Sequence, residues 1–139
     1  MGESIRNVSA ITLFVVEPQR SKEFYERVFG ATTIYEDENA AAFAFDNIVL
    51  NTLRHRTAES DQLIAPAAIA GPGAAATVLL TIEVEDTDAA CSDLADHGVE
   101  LLNGPVDRPW GVRTAAFADP DGHVWEVAGK IATPAAQGA

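Results

Sequence analysis

The residue with the clearest chemical potential is Glu126, near the end of the run Arg113 to Ala128, RTAAFADPDGHVWEVA. Asp119 can cap a turn with its carboxylate, Pro120 sets the next backbone angle, and Gly122 supplies the left-handed position that follows, so this run predicts a hairpin. Strand alternation then puts Val124, Glu126 and Ala128 on one face and His123, Trp125 and Val127 on the other. A carboxylate among small apolar residues has its charged form disfavoured, so Glu126 could accept a proton as a general base or hold a ligand amine. It could also be a satisfied structural group paired with Arg113 or Arg54, because an unpaired buried charge is costly.

Other chemistry-bearing side chains are scattered. His123 falls on the opposite face from Glu126, His97 precedes the helix-capping Gly98, and His55 shares parity with Asn51. No Ser/His/Asp arrangement stands out, and Gly71-Pro72-Gly73 lacks the strand-to-helix setting of a phosphate-binding loop. Trp110 and Arg113 lie in the segment PVDRPWGVR, where the indole could stack on a planar ligand and the guanidinium could orient it. Phe14, Phe43 and Phe45 could add aromatic walls, with Phe43 and Phe45 on one face of their strand.

The elements that must position these residues follow from periodicity. Residues 8–16 read as a buried strand, and Glu17-Pro18 opens a helix in which Phe24, Tyr25, Val28 and Phe29 repeat at helical spacing before Gly30 ends it. Strands are expected at 31–36, 40–45 and 48–53. After an Ala/Pro/Gly-rich connector at 56–76, with a short helix around 60–65, the pattern restarts: strand 77–84, helix 87–97, strand 99–102, then the hairpin around Asp119. Aligning the first strand, helix cap and final strand of each half gives a tandem βαβββ repeat, with modules at 5–55 and 77–130 and a flexible C-terminal tail at 131–139.

The 139 residues suffice for one compact domain with a core that needs no disulfide, and the single Cys91 forms none. A reducing cytoplasm is the expected setting. The N-terminus lacks a secretory pattern, and no segment reaches the roughly 18 apolar residues of a membrane span. A formal charge of −12, from 9 basic against 21 acidic residues, argues against nucleic acid and anionic membrane as partners and mildly favours cationic ligands.

The run DPDGHVWEVA, together with the helix signature KEFYERVFG, resembles the vicinal-oxygen-chelate superfamily of glyoxalase I, bleomycin-resistance proteins and extradiol dioxygenases, over nearly all of residues 5–129. The resemblance implies an α+β fold in which tandem βαβββ modules form curled mixed sheets around a concave cup. It also implies four metal-ligand positions, one on the first and one on the last strand of each module, which here match Ala10, Asn51, Leu79 and Glu126. Only Glu126 is an ordinary ligand, so no cofactor is expected, a divalent metal being the alternative. The implied function is binding and sequestration of an apolar, aromatic or cationic small molecule by a homodimer, as in antibiotic resistance, with Phe14, Phe43, Phe45, Asn51, Trp110, Arg113 and Glu126 in contact with it. The rivals are a glyoxalase-like lyase, isomerase or dioxygenase using Glu126 as base or metal ligand, and a non-catalytic association module.

Overall fold

Large apolar residues alternate with smaller ones in the first regular element, β1 (Ala10–Val15), whose Leu13 and Val15 are buried. The computed structural model describes residues 3–71 and 73–131. Helix α1 (Pro18–Phe29) begins with proline at its first turn, where no helical amide is needed, and ends on Gly30 with φ 63°, a conformation glycine adopts without strain. Strands β2 (Thr32–Glu36), β3 (Ala40–Ala44) and β4 (Val49–Arg54) complete the first sheet, ordered β1-β4-β3-β2. β1 and β4 run parallel, and the other neighbours are antiparallel.

One face of this sheet is closed by α1. Phe24 and Tyr25 are buried there with Phe43 and Leu50, and the Tyr25 and Phe43 rings lie 5.5 Å apart. Burying four such side chains contributes on the order of 6–12 kcal/mol before chain entropy is counted. The short helix α2 (Ala58–Ile64) follows in the connector, two residues earlier than the sequence suggested. Thr57 and Ser60 form a reciprocal capping box that fixes its start, a signal hidden because Ser replaces the usual acidic partner.

The pattern then repeats. Strand β5 (Leu79–Glu83) leads to α3 (Thr87–Asp96), capped by the Asp86 carboxylate, and then to β6 (Asn103–Asp107), β7 (Val112–Ala118) and β8 (Val124–Lys130). The second sheet is ordered β5-β8-β7-β6, again with its first and last strands parallel. Leu94 of α3 is buried along with Ala115, Phe117, Trp125 and Val127, so Trp125 packs on the helix side as alternation required. Among the described residues the fold is α+β, with eight strands in two four-stranded mixed sheets and three helices. The chain divides into two compact units, one up to residue 74 and one from residue 75, each with its own helix-on-sheet core.

The expectation of a strand at 99–102 is corrected. That strand, β6, lies at Asn103–Asp107, running into the segment PVDRPWGVR. Gly104 and Pro105 disguised it. An edge strand tolerates proline because its outward N–H needs no partner, and β6 is the outer strand of its sheet. Residues 132–139, most of the expected tail, lie outside the described residues.

Candidate functional site

Residues opposite each other on neighbouring strands share a face, so the ladder registers give the make-up of the face of each sheet that turns away from α1 or α3. Across the first sheet runs the row Thr12, Asn51, Ala42 and Tyr35. Across the second runs Thr81, Glu126, Ala116 and Asn103. Both rows pair a threonine on the first strand with an amide or acid on the last. Asn51 Nδ2 donates to Thr12 Oγ1 at 3.3 Å, and Thr81 Oγ1 donates to Glu126 Oε1 at 2.9 Å. Ala10 and Leu79 are thus not the cross-strand partners of Asn51 and Glu126: they sit one pair away on the same face, opposite Val49 and Val124.

The first unit contains a hollow of about 200 Å³ on this face, lined by Thr12, Tyr35, Ala42, Asn51 and Leu53 on the sheet and by Leu63 of α2. Its walls are largely aliphatic, while Asn51, Thr12 and Tyr35 supply polar groups. Tyr35 donates its hydroxyl to Asp37 Oδ2 at 2.6 Å, and that bond with the adjacent charge holds the phenol proton above its usual range. An apolar hollow with a few fixed polar groups is the common form of a small-molecule site.

Known proteins share this fold. A family model described as the glyoxalase/bleomycin resistance protein/dioxygenase superfamily matches residues 7–127. The chain belongs to that superfamily. It is 31% identical over 120 residues to the uncharacterized protein YraH of Bacillus subtilis (strain 168), covering 84% of this chain and 93% of that one. Among solved structures it is similar to a glyoxalase/bleomycin resistance protein/dioxygenase from Nocardioides, with TM-score 0.79, 23% identity, and 96% and 89% of the two chains covered. A glyoxalase-related enzyme from Fulvimarina pelagi superposes with TM-score 0.76 at 25% identity, over 91% and 89% of the chains.

Within this glyoxalase-like fold, the aromatic positions separate. Phe14 is half-buried on the open face, opposite Leu53 and beyond Thr12. Phe43 and Phe45 are corrected: Phe43 is fully buried against Tyr25, and the Phe45 ring lies 5.5 Å from that of Phe29, so both belong to the helix-side core. The Phe43–Leu50 pairing decides this, because Leu50 and Asn51 must face opposite ways. Trp110 is 72% exposed in the turn between β6 and β7.

Arg113 is also corrected. It shares parity with Ala115 and Phe117 on the α3 side, where its guanidinium bonds Asp88 and Asp107, each at 3.0 Å. Neither Arg113 nor Arg54 is the partner of Glu126. Arg54 is bound by Asn39, the carbonyls of Val16 and Glu38, and the Glu17 carboxylate.

His123, His97 and Cys91 take structural places. His123 bonds Asp119 Oδ2 at 2.8 Å; burial opposes its charge, but the Asp119 bond and the Asp119 and Asp121 charges outweigh burial and raise its pKa. His97 contacts the Asp93 carbonyl in the last turn of α3. Burial and the Asp88 charge push the Cys91 thiol upward, the reverse of what a reactive thiolate needs.

Metal-dependent chemistry of the superfamily needs several strong donors. Thr12 and Asn51 are neutral, Thr81 already donates its proton to Glu126, and only Glu126 is a carboxylate. Among the described residues no three His, Cys, Asp or Glu gather in a metal-binding group. These donors do not fit a transition metal, which takes three or four imidazole, thiolate or carboxylate ligands.

The sequence reading missed two sets of residues. Thr12 and Thr81 were legible in principle, since the alignment that pairs the two first strands also pairs these threonines. Arg108, whose Nε donates to Thr114 Oγ1 at 2.9 Å, was not legible, because a register shift between Asn103 and Val106 sets its face.

Proposed function

We propose that this protein binds a small molecule and sequesters it without a transition metal, taking an apolar or aromatic compound with a cationic group onto the sheet faces that turn away from α1 and α3. The observation that carries this reading is the pair of hydrogen-bonded rows: where metal-dependent relatives need a ligand set, this chain has Thr12–Asn51 beside an aliphatic hollow and Thr81–Glu126. The Asn51 amide keeps its carbonyl oxygen for a ligand donor, and Glu126 keeps its second carboxylate oxygen for an ammonium group. A homodimer in the cytoplasm belongs to the same reading. Among the described residues, no helix is long and apolar enough to cross a membrane.

The test is a thermal-shift and calorimetric screen of aromatic amines and neutral aromatics against protein dialysed with EDTA. A true ligand at a hundred times its Kd adds about 2.7 kcal/mol of stability, an easily read rise in Tm. Binding that survives EDTA, with no chemical change in the ligand, supports sequestration. Binding or turnover that appears only on restoring a stoichiometric divalent metal would overturn it.

A further inference from the structure

In a chain of net charge −12, several basic groups are spent on carboxylates: Lys22 on Glu36, Arg27 on Glu23, and Arg113 on Asp88 and Asp107. Arg108 is held differently. Its Nε donates to Thr114 Oγ1 at 2.9 Å and its Nη2 to Asn103 Oδ1 at 3.3 Å, both neutral acceptors. Thr114 and Asn103 lie on the Glu126 face: Asn103 and Glu126 both stand opposite Ala116, and Thr114 is two residues from Ala116 along β7. The guanidinium therefore lies across the face that carries Glu126, and no ion pair joins it to a carboxylate of the described residues.

A guanidinium has five N–H donors. Two here fix the side-on edge, leaving both hydrogens of Nη1 and one of Nη2, the end-on edge that a carboxylate meets with two parallel bonds. The neutral acceptors orient the group without neutralising it. Glu126 is likewise oriented by a neutral donor, Thr81. Thr114, which holds the guanidinium, is a diagonal cross-strand neighbour of Glu126, a spacing of roughly 7–8 Å between those two residues.

We propose that Arg108 is the anion-recognising residue of this face, so that the ligand is zwitterionic, with a carboxylate on Arg108 and an amine at Glu126. The inference rests on the small-molecule-binding reading above and narrows its ligand class. The test uses three probes on one ring: 4-(aminomethyl)benzoate, whose amine and carboxylate sit at its two ends, benzylamine and 4-methylbenzoate. Titration calorimetry is run with the wild type, R108Q and R108K, each verified as folded by circular dichroism and Tm.

The zwitterion should bind the wild type about tenfold or more tightly than either half-probe, the effect expected of one charge-assisted pair. In R108Q the ratio of zwitterion to benzylamine affinity should fall close to one, and R108K should recover part of it because it keeps the charge but loses the fork. Equal wild-type affinities for zwitterion and benzylamine, or a ratio unchanged in R108Q, would refute the role of Arg108 while leaving the binding function standing. If none of the three probes binds while other aromatics raise the Tm, the zwitterionic class alone is overturned. If no compound of any class binds, both readings fall.

Discussion

Filling the hollow of the first unit separates its role in binding from any role in stability. Ala42 lies on the β3 floor between Asn51 and Tyr35 and is 8% exposed, so replacing it with leucine projects three carbons into a space of about 200 Å³. Complete burial of three carbons would stabilise by about 2.4 kcal/mol at roughly 0.8 kcal/mol each. The hollow is not closed, since its lining residues Tyr35 and Leu63 are 56% and 64% exposed, so about half of that gain, near 1 kcal/mol, is expected. For a chain of this size that is a rise of about 3–4 °C in Tm. The same side chain covers the approach to Asn51, so affinity for an aromatic ligand should fall at least about tenfold, the loss of one well-placed contact. Differential scanning calorimetry and titration calorimetry on A42L read the two effects separately. A variant that is stabilised yet binds as before would refute the hollow as the site. Destabilisation by 2 kcal/mol or more, on the order of an overpacked core, would refute the hollow itself.

Two further expectations follow from the second unit. His123 protonates more readily folded than unfolded, so its contribution is complete below the unfolded value near pH 6.5 and is lost as pH rises through the higher folded value. In D119N, denaturation curves taken from pH 5.5 to 8.5 should lose that component, becoming flatter than wild type, with a cost of about 1–2 kcal/mol at pH 6; parallel curves would disprove the pairing. G104A should lose about 3 kcal/mol or more, read as a Tm about 10 °C lower, because its Cβ would meet the Thr114 carbonyl oxygen and come 2.7 Å from Ala115 Cα at a φ of +89°. A Tm within 2 °C of wild type, on the order of a surface change, would contradict that close approach.

The architecture was legible because each unit states it redundantly. Pro18 and Gly30 bracket α1, Asp86 and Gly98 bracket α3, and the turn at Asp119 closes on the Gly122 amide at 3.0 Å. Faces were legible only where one strand had a clear apolar side, as with Trp125 and Val127. Phe43 and Phe45 failed that test because β3 and its flank, AAAFAF, offer no polar residue to mark the open face. Arg113 failed for a different reason. Its face follows from alternation with Phe117, but a long basic side chain at a strand end reads equally well as a rim residue until Asp88 and Asp107 are seen to hold it.

The site itself turns on a difference of one residue pair. In each unit the parallel pairing of first and last strands puts a threonine, not the alanine or leucine beside it, opposite the residue that can do chemistry. A hydroxyl in that place can orient an amide or carboxylate through one hydrogen bond, but as a neutral group it cannot help neutralise a divalent cation. On the proposed reading, Thr12 and Thr81 each orient a cross-strand partner so that a ligand group is met by one pre-oriented oxygen, where a cation would need several anionic or imidazole donors. T81V tests this step: the valine keeps the shape but removes the bond to Glu126, so affinity for an amine-bearing ligand should fall about fivefold to tenfold, roughly the worth of one hydrogen bond to a charged group. Unchanged calorimetric affinity in T81V would mean that Glu126 needs no orienting partner, and that the shared design of the two rows has no part in recognition.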